Sequence, residues 1–227
     1  MRHGSRTWIV FLLLMGMLGT AHAVGTYSGN LGYSDGGITG VAGSPWMAPG
    51  TLFSWEVINN GDGTYTYTYR LQVPDDSKGI SHMTVEASPS FESDNILDVP
   101  EGTIAEDQPS SYPNGDADPS MPGSMWGIKF EGGGPDSTDN DWTVSFTTDR
   151  APVWGDFYAK DGDDVAIWNA GFTDPDSDPT DPPGSTPVAN HILVPDTYTD
   201  PVPAPGGILL AGFGTGLVGF LRTRRWL

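Results

Sequence analysis

From position 51 onward the hydrophobic positions of this chain repeat with a period of two. Phe53, Trp55 and Val57 alternate with Ser54 and Glu56, and Tyr65, Tyr67, Tyr69, Leu71 and Val73 alternate with Thr64, Thr66, Thr68, Arg70 and Gln72. Between the two runs lie Asn59, Asn60, Gly61, Asp62 and Gly63, residues that tolerate positive φ and suit a hairpin loop. The pattern therefore predicts an antiparallel hairpin whose apolar faces pair and whose Thr-rich face is the wetter one. The same rule predicts strands over 80–88, 125–131, 142–148, 153–160 and 165–172, with a first strand over 26–33 and a final one over 188–194. Asp161, Gly162, Asp163 and Asp164 supply a turn between two of them. No window of helical length outside the chain ends carries a 3.6-residue stripe, so many short strands separated by Gly and Pro turns point to an all-β, antiparallel β-sandwich over 24–195. Three stretches, 100–123, 132–140 and 173–187, read as irregular loops.

Composition agrees with that reading. The 31 glycines and 20 prolines are many for a helical protein, while eight Trp, eight Tyr and nine Phe are enough large side chains for a core. The absence of cysteine excludes disulfides, thiolate metal sites and cysteine nucleophiles. Charge narrows the partners. With 29 acidic and 10 basic residues the formal charge is −19, and between Val24 and Pro205 only Arg70, Lys78, Lys129, Arg150 and Lys160 oppose all 29 carboxylates, a balance of −24. Nucleic acid is bound through Lys and Arg footprints, and this body has none.

The two ends read as addresses. Residues 1–23 have the three parts of a secretory signal peptide: Arg2 and Arg6, an apolar run from Trp8 to Leu18, and Ala21 and Ala23 at a small-x-small cleavage site. That apolar run is short for a membrane anchor, the alternative reading. A stalk over 196–201 leads into residues 202–227, where Val202, Pro203, Ala204 and Pro205 precede sixteen uncharged residues, Gly206 to Leu221, and then Arg222, Arg224 and Arg225. As a helix, sixteen residues reach about 24 Å, short for a permanent span, and a basic end holds such a tail on the cytoplasmic side. Gly212 and Gly216 would let another membrane helix approach closely.

These three parts in this order resemble the PEP-CTERM sorting signal of Gram-negative bacteria. The resemblance implies processing by an exosortase-type membrane protease, export to the cell surface or outside, and an association with exopolysaccharide. Val202, Pro203 and Pro205 match the box, and Ala204 stands where the family's Glu is expected. A plain C-terminal anchor is the alternative. The body, through its run from Thr148 to Tyr158, is similar to uncharacterised exported proteins that carry this tail, which implies no particular activity.

The body offers little defined chemistry. With the signal peptide gone, His82 and His191 are the only histidines, too few for a His-rich metal site or a zinc protease motif. His82 fits a strand pattern with Ile80 and Thr84 and reads as a strand residue before it reads as a base. No Gly-x-Ser-x-Gly elbow or phosphate loop occurs. Paired carboxylates could hydrolyse glycosides, with Glu56, Glu86, Glu131 and Asp156 as strand-borne candidates, but so many carboxylates supply pairs by chance. Asp174, Asp176, Asp178 and Asp181 could converge on calcium; the EF-hand pattern fails because Pro179 and Ser185 stand at its sixth and twelfth positions. A solvated Asp/Pro loop is the plainer reading. Tyr65, Tyr67 and Tyr69 form a core face or a platform for sugar rings, depending on exposure. The expectation is an exported surface or matrix protein with a structural or binding role and no catalytic residues. A secreted carbohydrate-active enzyme and a calcium-assisted glycan-binding module are its rivals.

Overall fold

In a computed structural model the chain is described at residues 25–74, 79–87, 89–115, 118, 120–132, 140–163, 165–174 and 186–195. Both end segments, with Ala21, Ala23, Val202, Pro203, Pro205, Arg222, Arg224 and Arg225, lie outside these residues. The described residues are all-β. They form β1 (Thr26–Gly32), β2 (Ile38–Gly40), β3 (Leu52–Asn59), β4 (Tyr65–Gln72), β5 (His82–Glu86), β6 (Ile96–Glu101), β7 (Thr103–Ile104), β8 (Ser110–Tyr112), β9 (Met125–Glu131), β10 (Asp141–Thr148), β11 (Pro152–Gly155), β12 (Phe157–Lys160), β13 (Ala166–Asn169) and β14 (Ile192–Pro195). A single 3-10 turn, Ser93–Asn95, precedes β6. No described helix is long and apolar enough to cross a membrane.

All strand pairs are antiparallel. One sheet runs β1-β3-β4-β10-β6, a second runs β2-β13-β12-β5-β9-β7 with β8 also on β9, and β11 pairs with β14 alone. The predicted hairpin is β3–β4, with Phe53 opposite Leu71, Trp55 opposite Tyr69 and Val57 opposite Tyr67. Its loop works as the sequence implies: Gly61 and Gly63 take φ of 81° and 94°, and Asn59 and Asp62 side chains accept from the Gly61 and Thr64 N–H groups. The Thr-rich face is partly exposed, with Thr66 and Thr68 hydroxyls bonded to Thr147 and Ser145 on β10. Arg70 on that face binds Asp141, whose carboxyl it holds below the usual range; both are so exposed that the pair adds little stability.

The apolar face of the hairpin is buried except at Tyr65. Phe53 stacks on Phe157 of β12 at 4.1 Å between ring centroids, while Tyr69 meets Phe130 of β9 edge to face and Phe146 tilts against the same ring. Trp55 meets Trp154 of β11 edge to face at 6.2 Å. Tyr67 and Tyr69 donate their hydroxyls to the carbonyls of Arg150 and Leu193, which satisfies their polar tips inside the core. Burial pushes the Tyr69 hydroxyl's pKa well above its ordinary value. The tyrosine stripe is therefore core and not a platform: Tyr67 and Tyr69 are inaccessible, and Tyr65 is half-buried at the hairpin mouth.

Several boundaries differ from the pattern, each for a tertiary reason. The run 153–160 is not one strand, because the chain leaves β14 after Gly155 and joins β5 and β13 from Phe157, with Asp156 at the change of partner. The strand expected over 165–172 stops at Asn169, where turns close through Phe172 N–H to Asn169 O and Asp174 N–H to Gly171 O. The last strand starts at Ile192 because Ala189 and Asn190 adopt φ of 50° and 60°. The stretch 100–123 is not wholly irregular, since β7 and β8 both pair with β9. Edge strand β6, over which the pattern predicts no strand, contains Pro100, which an edge position tolerates.

Candidate functional site

Of the four strand-borne carboxylates singled out above, the fold brings two together. Glu86 ends β5 and Asp156 joins β11 to β12; the Asp156 N–H donates to Glu86 Oε2 at 2.9 Å, and the Glu86 N–H donates to the Asp156 carbonyl at 2.9 Å. Asp156 is thus a junction residue and not the strand residue expected. Gly155 makes the approach feasible, because a Cβ there would sit 2.8 Å from Glu86 Oε2 and 2.6 Å from Val194. Glu56 is far from this pair, on the exposed face of β3. Glu131 lies opposite His82, at the other end of β5, and pairs with Lys129 at 2.9 Å.

A polar pocket of about 410 Å³ opens beside the pair, lined by Glu86, Ser124, Asp156, Thr173 and Asp174 with Met125 and Phe172. Asp174 is thereby placed near the two carboxylates. Asp176, Asp178 and Asp181, its proposed companions in calcium binding, lie outside the described residues. Among the described residues no group of three His, Asp or Glu is arranged to hold a metal ion.

Behind the pocket the carboxylate of Asp156 is tied into the core. Asn169 Nδ2 donates to Asp156 Oδ1 at 2.6 Å while Asn169 Oδ1 accepts from the Phe157 N–H at 2.9 Å, so one amide braces both sides of the junction. His191, fully buried, lies with Nε2 3.0 Å from the Gly171 carbonyl and 3.6 Å from Asp156 Oδ1. A carbonyl only accepts, so Nε2 carries the proton. Gly171 must be glycine for this contact, since a Cβ there would lie 2.0 Å from the Ala189 carbonyl. Chemically, the arrangement holds a carboxylate rigidly at a pocket wall.

The other histidine among the described residues is also enclosed. His82 Nε2 donates to Asp118 Oδ1 at 3.2 Å, with both side chains buried. Burial lowers the His82 pKa below its ordinary value of about 6.5, against the Asp118 hydrogen bond and with help from the Lys129 and Lys160 charges. Glu131 is its cross-strand neighbour and the Tyr158 ring its packing partner. Above pH about 6.5 the imidazole is neutral in both folded and unfolded chains; below it the unfolded chain binds a proton that the folded chain refuses, so stability falls with pH from there to the lowered pKa. Each unit of that window costs at most about 1.4 kcal/mol. Urea unfolding between pH 7.5 and 5 should show this slope, and His82→Gln should flatten it; an unchanged slope would place the titration elsewhere.

Sequence reasoning missed Asp118, Asn169 and the junction role of Asp156. Asn169 had a signal, a lone amide ending the apolar run Ala166-Ile167-Trp168, whereas Asp118 lay in a loop with no periodicity to place it. The chain matches no protein-family model, no curated protein and no solved structure.

Proposed function

We propose that this chain is an exported protein of the cell surface or extracellular matrix, sorted by an exosortase-type membrane protease through residues 202–227, and that residues 24–195 form an antiparallel β-sandwich with a structural or binding role. The observation that carries the reading is the order of three parts at the C-terminus: the Val202-Pro203-Ala204-Pro205 box, sixteen uncharged residues, and Arg222, Arg224 and Arg225. A signal peptide ending at Ala21 and Ala23 supports the same route. The sandwich is supported by aromatic contacts between the two larger sheets, Phe53 with Phe157 and Phe146 with Phe130. A binding or structural role fits the tying of Asp156 to Asn169, which uses a catalytic candidate to brace the fold.

Processing is read directly from mass. Protein collected from outside the cells should begin at Val24 and lack Arg222, Arg224 and Arg225. Recovery of the intact C-terminal peptide from that material would refute the sorting step and favour a plain anchor.

A further inference from the structure

A second pocket, of about 700 Å³, shares no lining residue with the carboxylate junction, although its Trp126 follows directly on Met125 of the other, and it differs in character. Ile104, Pro109 and Trp126 give it carbon surfaces over the buried Phe91, and Glu92 and Asp107 give it carboxylates. Among the described residues, no Lys, Arg or His lines it. Trp126 is partly exposed and packs its remaining surface on the core.

Both sides of this pocket are held by side-chain hydrogen bonds. Gln108 Oε1 accepts from the Tyr112 hydroxyl and from the Lys129 N–H at 3.0 Å, which ties the segment carrying Asp107 to β8 and β9. On the opposite side Asn95 Oδ1 accepts from the Glu92 N–H at 2.8 Å and from Arg150 at 3.1 Å. Asp107 itself is held at φ 54°, a left-handed conformation that a non-glycine residue adopts at some energetic cost. A pocket held in this way loses little freedom when it binds.

The lining selects the ligand. An anion would face Glu92 and Asp107 on a body that carries −24 overall. A wholly apolar ligand would strip water from two carboxylates without replacing it. A cation is attracted by carboxylates all over this surface, and the single partly exposed ring of this pocket, Trp126, is not the aromatic cage that would single one out here. A neutral saccharide uses both parts: its C–H faces pack on Trp126 and Ile104, both partly exposed, while its hydroxyls donate to Glu92 and Asp107. We propose that the pocket between Trp126, Ile104, Glu92 and Asp107 binds a neutral saccharide. This rests on the reading of a surface or matrix binding protein and names its ligand class.

The test is calorimetric titration of the purified full-length chain with neutral hexasaccharides of glucose and of mannose, a uronic-acid hexasaccharide and a lysine-rich peptide. A neutral hexasaccharide should bind, and Trp126→Ala should weaken it at least tenfold. Because Trp126 also packs on the core, Asp107→Gly is the second variant; glycine accepts the positive φ, so this variant should melt no lower than wild type yet bind at least tenfold more weakly. Failure of both neutral sugars to bind, binding unchanged in both variants, or preference for the uronate or the peptide would each overturn the proposal. None of these results alters the C-terminal mass that tests sorting, so the two readings can fail separately.

Discussion

Phe53→Ala should lower the unfolding free energy by about 3–5 kcal/mol, the usual loss when a buried aromatic is truncated to alanine. The side chain is fully inaccessible on β3, stacked at 4.1 Å and 21° on Phe157 of β12 and tilted at 5.7 Å against Tyr69. Truncation removes apolar area and leaves a cavity between strands of two different sheets, which neither can close without moving the hydrogen-bonded partners of β3 and β12. For a body of this size the melting temperature should drop by about 10 °C or more. Leu97→Ala is the control, since Leu97 is 52% exposed on edge strand β6 and should change stability by no more than about 0.5 kcal/mol. Denaturant unfolding followed by tryptophan fluorescence measures both, and equal effects would show that the aromatic stack contributes nothing particular.

Asn169→Asp should be as damaging at neutral pH, although it changes one atom. The new carboxylate keeps an acceptor for the Phe157 N–H but replaces the Nδ2 donor that lies 2.6 Å from Asp156 Oδ1, so two buried carboxylates meet without a hydrogen between them. Like charges at that distance cannot both ionise, and one must take up a proton, as in paired carboxylate sites elsewhere. The expected loss at pH 7 is about 3–5 kcal/mol, the range for breaking a buried charged network. The sign of its pH dependence follows. The pair's pKa in the folded variant is raised above that of an unfolded aspartate, so stability is retained below pH about 4 and is lost as pH rises through the raised value. His191, 3.6 Å from Asp156 Oδ1, Glu86, bonded to the Asp156 N–H, and Asp174, which lines the same pocket, are neighbouring titratable groups. Melting curves of variant and wild type from pH 4 to 8 should therefore diverge upward in pH; a constant gap would mean that Asp156 is not ionised at this junction.

The His82 slope, the processed C-terminus and the saccharide titration address other parts of the chain, and none depends on these two results. The Asp156 experiment also bears on chemistry. If the curves diverge, the Asp156 carboxylate is ionised and bonded to Asn169 at the junction of β11 and β12, an arrangement that fixes a pocket wall.

The sequence by itself determined the strands of the first hairpin to within a residue or two, because alternation and turn chemistry act over a few neighbouring residues. It determined as well that Tyr67 and Tyr69 share a face with Leu71, that the Thr-rich face is the wetter one, and that a body this acidic has no basic footprint. What it left open depended on partners distant along the chain. Nothing local marks Asp156 as the point where a single apolar run exchanges β14 for β5 and β13, since both halves carry the same period. The pattern predicts no strand over 96–101, where Pro100 is permitted by its place at the sheet edge. Glu86 and Asp156 are 70 residues apart, and only strand pairing between β5 and β12 brings a backbone N–H of one to the carboxylate of the other. Burial of His82 and His191 was likewise decided by packing, since a lone histidine in an alternating pattern can face either way until the layers above and below it are in place.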